Sequence, residues 1–367
     1  MVKNISIQIK FFLILSFLST VFSSKTYADD PNIQIFTGNT MGTTYNIKVV
    51  MPNSQNGKDD LSSLIENRLK QINQSMSVYI KSSEISIFNS LDKGKPLKIS
   101  PEFYSVMVMG QNLYKITKGS WDGTVKPLVD LWGFGTKGVK STFVAPSSEV
   151  ITAYLQTTGF NQIIIDDERQ KTVKKKSSAV ILDLGSIAKG FGVDAVAQLL
   201  KAQGYLNFLI EIGGEVFASG EKRAGNLWVV GVSKPKKGVG GSESSNEIYL
   251  SLPLKDMAIA TSGDYRNFTT IEGKTYSHVI NPVTGYPVDN GVVSVSVIAD
   301  NCTFADGLAT ALMVMGHKKG IELVNSLKNV EALIVVREQT VGSGKSSGQY
   351  SSNAQFIDYR SKKFPLP

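Results

Sequence analysis

The sequence predicts an α+β fold: largely antiparallel sheets flanked by helices, in one compact unit with two lobes. Three observations carry this. Apolar, strand-like segments follow one another at hairpin spacing from residue 208 to residue 300. Helical patterns stand between groups of strands and do not alternate with single strands as in a doubly wound sheet. Finally, 42% apolar and 19% charged residues over 367 positions suit a globular chain of one large or two ordinary domains, and no repeat of fixed period divides it.

The N-terminus reads separately. Lys3 and Lys10 precede the apolar run FFLILSFLSTVF (11–22), and SSKTYADD follows, with a small-residue site ending at Ala28. This pattern predicts a secretory signal over 1–28 and a folded domain over 29–367. An uncleaved anchor is the alternative, although the run is short for a membrane span. No cysteine lies near the site, which excludes a lipid-anchored start.

Removing Lys3, Lys10 and Lys25 lowers the net charge from +8 to about +5. A modest basic excess suits an anionic ligand or an ordinary solvated surface. No basic run with interleaved aromatics appears, so nucleic acid is excluded as a partner. Cys302 is the single cysteine, which leaves no internal disulfide and no thiolate metal site.

The elements follow in order. YNIKVVM (45–51) alternates as a strand, and Leu61, Leu64, Ile65, Leu69 and Ile72 keep helical spacing. SVYIKSSEISIFN (77–89) reads as a polar loop. Ser100-Pro101-Glu102 starts a helix that Gly119 stops, and 147–159 gives a second, short helix. Lys174, Lys175 and Lys176 read as an edge or turn between strands. AVILDLG (179–185) reads as a buried strand feeding a helix over 187–204. Strands are expected at 208–214, 227–232, 247–254, 257–263 and 292–300, with a fold-back at Glu272-Gly273-Lys274. Helices over 305–316 and 318–327 follow, with His317 solvated between them, and VEALIVV (330–336) closes the sheet. Two Gly/Ser-rich stretches, 234–246 and 341–353, read as loops.

Three short patterns mislead. GFGTKG (133–138) has the spacing of a dinucleotide fingerprint, but no helical pattern follows it. SIAK (186–189) matches an acylating S-x-x-K motif, with partial echoes in SGD (262–264) and VTG (283–285). The later elements fail at Asp264 and Val283, so an acylating serine enzyme is only the runner-up. Gly185 and Gly190 have P-loop spacing, but Phe191 stands where lysine is required.

The stretch LDLGSIAKGFGVDA (182–195) is the centre of the functional reading. Glycines at a junction that opens a helix expose backbone N–H groups, which bind anions such as phosphate. Lys189 falls in the first turn, where the helix dipole disfavours a cation unless an anion meets it. A surface lysine on a core helix is the alternative. Asp306 and Thr310 lie four apart on one helix face and offer hard oxygens suited to Mg²⁺. They could equally be a dipole partner and a small core residue. His278, in TYSHVINPVTGYPV, is a better candidate for proton transfer than His317, although a structural histidine also fits.

Seven blocks in order resemble one family. They are MGTTYNI (41–47), SVYIKSSEISIFN, WDGTVKPLVDLWGFG, LDLGSIAKGFGVD, IATSGDYRNF, SHVINPVTGYPV and ADGLATAL. Together they are similar to the bacterial ApbE flavin transferases, FAD:protein FMN transferases with a T-fold-like architecture. The resemblance implies cleavage of FAD, transfer of FMN to a threonine hydroxyl of an acceptor protein through a phosphoester, and release of AMP. It implies a Mg²⁺ requirement and a periplasmic location at the inner-membrane surface. Implied acceptors are subunits of membrane redox complexes, such as sodium-pumping NADH:quinone reductase and its Rnf relatives. A periplasmic FAD-binding protein, or an FAD pyrophosphatase without transfer, is the alternative within the same resemblance.

Carried onto this sequence, the resemblance places FAD against Met41 and Tyr79, with Trp121, Asp122 and Gly123 as another wall. Asp183, Lys189 and the Ile280 backbone would hold the adenosine and diphosphate part. The metal would take the Ser186 carbonyl, Asp306 and Thr310, and His278 would be the catalytic base or acid. The chain departs from the family's usual residues at Asn281 (Asp), Val283 (Arg), Gly123 (Ile), Lys126 (Gly) and Ser186 (Gly or Ala). At Asn281 a carboxylate that would orient His278 is expected to be missing.

Overall fold

An eight-stranded antiparallel sheet organises the protein, with helices on one face and a hairpin on the other. The computed structural model describes residues 32–52, 58–135, 144–166, 169–223, 225–235, 247–263, 268–271, 274–338 and 355–365. The expected signal, the second half of the GFGTKG stretch (136–138), Asp264, Glu272 and Gly273 of the expected fold-back, and the two Gly/Ser-rich loops (except Lys234 and Pro235) lie outside them. Asn32–Pro367 make one compact unit. Among the described residues no helix is long and apolar enough to cross a membrane.

Strands β1 (Ile33–Thr40) and β2 (Thr43–Val50) precede α1 (Lys58–Met76), α2 (Glu84–Ser90), β3 (Leu97–Lys98) and α3 (Pro101–Ile116). Next come α4 (Lys126–Leu131), α5 (Ser148–Leu155), β4 (Ile163–Ile165), β5 (Thr172–Lys175) and α6 (Ala188–Ala202). Strands β6 (Phe208–Ile212), β7 (Glu215–Ser219), β8 (Trp228–Ser233), β9 (Ile248–Leu254) and β10 (Met257–Gly263) follow. The chain continues through β11 (Phe268–Ile271), β12 (Lys274–Ser277), β13 (Val292–Ala299), α7 (Cys302–Met315), α8 (His317–Ser326), β14 (Glu331–Arg337) and β15 (Phe356–Arg360).

The large sheet runs β1-β2-β6-β7-β10-β13-β14-β15, with every neighbouring pair antiparallel. One face packs on α6 and α7: Val193, Val196 and Leu200 meet Ile47 and Ile210, while Leu308 and Leu312 share a core with Val295 and Ile334. The other face is covered by the β8–β9 hairpin, whose Trp228, Leu250 and Leu252 meet Val216, Ile259 and Leu333. Each such fully buried aliphatic side chain contributes about 1.5–3 kcal/mol.

Two local devices bring α6 and α7 together. A Cβ on Gly190 would lie 2.3 Å from the Cys302 carbonyl oxygen, so only glycine permits this approach. Asp194 of α6 accepts the N–H groups of Cys302 and Thr303 at 2.8 Å each, capping α7 from outside its own chain segment. Asn301 completes the cap by accepting the Phe304 N–H at 2.9 Å.

Several expectations need correction. The 77–89 loop contains α2: Ser83 caps it by accepting the Ser86 N–H, and Ile85 and Phe88 are buried one turn apart. The 179–185 segment is extended but is not a strand. Its backbone is held by side chains and a loop, with Leu182 bonded in both directions to Asn89 at 2.8 Å and the Asp183 N–H donating to the Gly123 carbonyl at 2.7 Å. Strand β7 directly follows the Gly213-Gly214 turn, so β6 pairs with β7 and not with the next apolar run. The positive φ values of those glycines, 62° and 106°, make this tight reversal possible. The sheet does not end at β14, because β15 pairs outside it. Lys175 is no edge residue: β5 is the middle strand of a three-stranded sheet, and the Lys175 side chain is buried. His317 opens α8 and stacks on Tyr359, ring centroids 4.0 Å apart.

Candidate active site

The α6 N-terminus, the β6–β7 turn, the end of β10, the 278–282 segment and α7 surround a cavity of about 580 Å³, a size usual for ligand pockets. Trp121, Asp122, Ser186 and Lys189 line it, as do His278, Ile280, Asp306 and Thr310. Met41, Tyr79, Gly123 and Asp183 are not in the lining. Tyr79 is 79% exposed. Met41 sits at the β1–β2 turn with φ 50° and packs toward Gly192.

The junction that opens α6 is built for charge. Its Gly185 N–H turns inward to Asp183 at 2.8 Å, and the Gly190 N–H turns to Asp306 at 3.0 Å. A continuing helix would give the Gly190 N–H to the Ser186 carbonyl, so that carbonyl loses its helical donor. Among the described residues the N–H groups of Ser186 and Lys189 have no protein acceptor. Two unsatisfied donors at a helix start suit an anion. The Ser186 hydroxyl accepts the Trp121 indole N–H at 3.0 Å. Lys189 is turned to carboxylates, so the serine–lysine contact that an acylating S-x-x-K enzyme needs is not formed.

Lys189 lies 3.2 Å from Glu215 and 3.5 Å from Asp306, and both acids are buried. Burial disfavours the ammonium, but Asp306 and Glu215 outweigh it and raise its pKa. Burial first, then the Asp306 charge, pushes Glu215 up to about 8 against the pull of Lys189. Burial likewise raises Asp306, with Lys189 and the Gly190 N–H opposing. Among the described residues the buried Glu215 Oε2 atom has no hydrogen-bond partner. The sequence reading missed Glu215. Its signal was an acid directly after Gly-Gly at the head of an otherwise apolar strand, in EIGGEVFAS (211–219).

Asp122 reaches the cavity wall but spends its oxygens on its own loop. It accepts the Thr124 N–H at 2.8 Å, the Thr124 hydroxyl at 2.7 Å and the Phe160 N–H at 3.2 Å. Burial still raises its carboxyl to about 6. Trp121 is buried and packs on Phe160, centroids 5.5 Å apart. Thr310 shares a 3.3 Å hydrogen bond with Ser262. Asn281 caps its own turn, its Oδ1 accepting the Val283 N–H at 2.9 Å and the Thr284 N–H at 3.3 Å.

Among the described residues no three His, Cys, Asp or Glu side chains form a metal cage. A Mg²⁺ site needs fewer protein groups, and the donors here are its type: the Asp306 carboxylate, the Thr310 hydroxyl and a carbonyl without its helical donor. The cluster sets two acids against one ammonium, and burial opposes the charge of both acids until a further cation arrives.

Fold and cavity thus define an α+β protein with a pocket lined by charged and hydroxyl side chains at the start of α6 and along α7. The chain belongs to the ApbE family, whose model matches residues 41–334. The FAD:protein FMN transferase of Vibrio cholerae serotype O1 is 39% identical over 300 residues, covering 82% of this chain and 86% of that protein. The FAD:protein FMN transferase of Haemophilus influenzae is 36% identical over 316 residues, covering 85% and 89%. The solved flavin transferase ApbE from Vibrio cholerae superposes with TM-score 0.75 at 36% identity, covering 90% of this chain and 98% of that one. The apo flavinyl transferase ApbE of Pseudomonas stutzeri gives 0.74 at 33% identity, covering 90% and 95%.

Proposed function

We infer that this protein is an FAD:protein FMN transferase that moves FMN to a threonine hydroxyl of an exported acceptor. The observation that carries the reading is the convergence of Lys189, Asp306, Thr310 and His278 on one cavity, beside the N–H groups of Ser186 and Lys189, which have no acceptor among the described residues. FAD is the donor substrate. The N–H groups of Ser186 and Lys189, with the Lys189 ammonium, receive its diphosphate. Asp306, Thr310 and the Ser186 carbonyl would hold Mg²⁺, which when bound would neutralise diphosphate charge.

The threonine oxygen bonds to the FMN phosphorus while the bond from that phosphorus to the bridging oxygen breaks. AMP leaves with the bridging oxygen, and His278 takes the hydroxyl proton. Positioning and charge neutralisation do most of the work in such a transfer. The N-terminal pattern supports export to the periplasm, where acceptors would be threonine-bearing subunits of membrane redox complexes of the sodium-pumping NADH:quinone reductase or Rnf type.

Mass spectrometry of a threonine-containing acceptor domain incubated with the protein, FAD and Mg²⁺ tests this. The expected result is a mass gain equal to FMN, abolished by Asp306→Ala and by His278→Ala. AMP without an adduct would point to a pyrophosphatase. Bound FAD with neither product would leave a flavin carrier.

A further inference from the structure

The buried cluster holds more acid than its lysine needs. Lys189 stands between Glu215 and Asp306, nearer to Glu215 (3.2 against 3.5 Å). The two acids are not equivalent. Asp306 reaches both Lys189 and the Gly190 N–H, and it lies one turn before Thr310 on α7. Glu215 sits on β7 beneath α6, and among the described residues its one side-chain partner is Lys189. Burying a carboxylate for a single ammonium is costly, and a purely structural lysine can be closed by backbone carbonyls instead.

We propose that Glu215 is a positioning residue that draws Lys189 to itself when a divalent cation takes the Asp306 carboxylate, so that lysine and cation need not compete for it. The inference rests on the cation site proposed above. Both Asp306 oxygens are engaged within the protein, so a cation taken by Asp306 displaces Lys189 from it. With Glu215 present, the displaced ammonium keeps a carboxylate and stays beside the diphosphate site. Without it, Asp306 is the only acid left to the buried ammonium, and lysine and cation compete for one carboxylate. Glu215 therefore acts on the cation through Lys189.

A double-mutant cycle read by Mn²⁺ binding tests this without any turnover. Electron paramagnetic resonance of free Mn²⁺ gives the affinity of the purified protein, of Glu215→Gln, of Lys189→Met and of the double variant. We expect Glu215→Gln to weaken Mn²⁺ binding about tenfold or more with Lys189 present, and less than about twofold once Lys189 is methionine. Lys189→Met alone should bind Mn²⁺ at least as tightly as the parent protein. The same loss in both backgrounds would mean that Glu215 acts on the cation directly, and would overturn the proposal. No loss in either background would overturn it while leaving the cation site intact. Absence of Mn²⁺ binding by the parent protein would instead sink the cation site, and the proposal with it. Melting curves of all four proteins separate these outcomes from misfolding, and recovery of binding in the double variant cannot come from damage.

Discussion

Lys175 is buried and Lys189 half-buried, and the protein accommodates the two ammonium groups in opposite ways. Lys175 is 1% exposed and donates to three backbone carbonyls, those of Asn89 at 3.0 Å and of Ser178 and Val180 at 3.2 Å. Neutral backbone acceptors from α2 and from the stretch after β5 close it, and burial lowers its pKa, with Asp92 opposing. Lys189 instead meets two carboxylates beside a cavity, with one carboxylate oxygen left unpartnered among the described residues. A buried charge closed by backbone has nothing left for a ligand. A buried charge left with a surplus of the opposite sign is unfinished until something binds.

Replacing each lysine by methionine should therefore give opposite failures. Lys189→Met should lower FAD affinity or transfer by about 10²–10³, the usual scale for a preorganised charge at a reacting phosphate. Its urea midpoint should move less than that of Lys175→Met. Lys175→Met leaves three carbonyls without a donor and should cost about 3–5 kcal/mol of stability. Its folded fraction should bind FAD within about threefold of the parent protein. Equal losses of FAD binding in the two variants would erase the distinction.

The sequence carried this contrast only in part. The glycines, Asp183 and Lys189 of 182–195 stood out because a helix opening is a local event with local signals. Asp306 and Thr310 followed from helical spacing, which sequence reports well. Glu215 was hidden because its meaning depends on β7 lying beneath α6, a long-range pairing. Lys175 was misread for the same reason. A lysine triplet looks solvated unless one knows that β3 and β4 flank β5 and that Asn89 arrives from α2. The 179–185 segment has strand composition, yet the Asn89 side chain replaces the ladder that would have made it one. The hydrophobic pattern sees burial and is blind to which group supplies the hydrogen bond.

Asp122 sharpens the comparison, because it lines the cavity like Lys189 but is closed like Lys175. Its carboxyl is raised to about 6 chiefly by burial. A group raised on folding contributes stability that is full below its unfolded pKa and is lost as pH rises through the folded value. Asp122 should thus remove about 2–3 kcal/mol between pH 4 and pH 7, at about 1.4 kcal/mol per unit. Urea unfolding at both pH values should show Asp122→Asn gaining on the parent protein by that amount as pH rises. A difference independent of pH would show that the carboxyl titrates normally and that the loop does not bury it as described.

The smallest effect is expected at Asn281. Its Oδ1 accepts the Val283 and Thr284 N–H groups, its carbonyl accepts the Gly285 N–H at 2.8 Å, and its own N–H donates to Tyr286 at 2.9 Å. All of these bonds serve the turn that carries Ile280 and Pro282 to the cavity, and an aspartate would make them equally well. In the terms set by the two lysines, Asn281 is a closed group whose hydrogen bonds complete the turn. Asn281→Asp should therefore change transfer by less than about threefold and stability by less than about 0.5 kcal/mol. A rise of tenfold or more, with a displaced pH–rate profile, would mean that a carboxylate here reaches His278 and that this turn belongs with Lys189 among the unfinished sites. Closure of a polar group by its own loop, read from hydrogen bonds alone, would then be insufficient to set it aside from the chemistry.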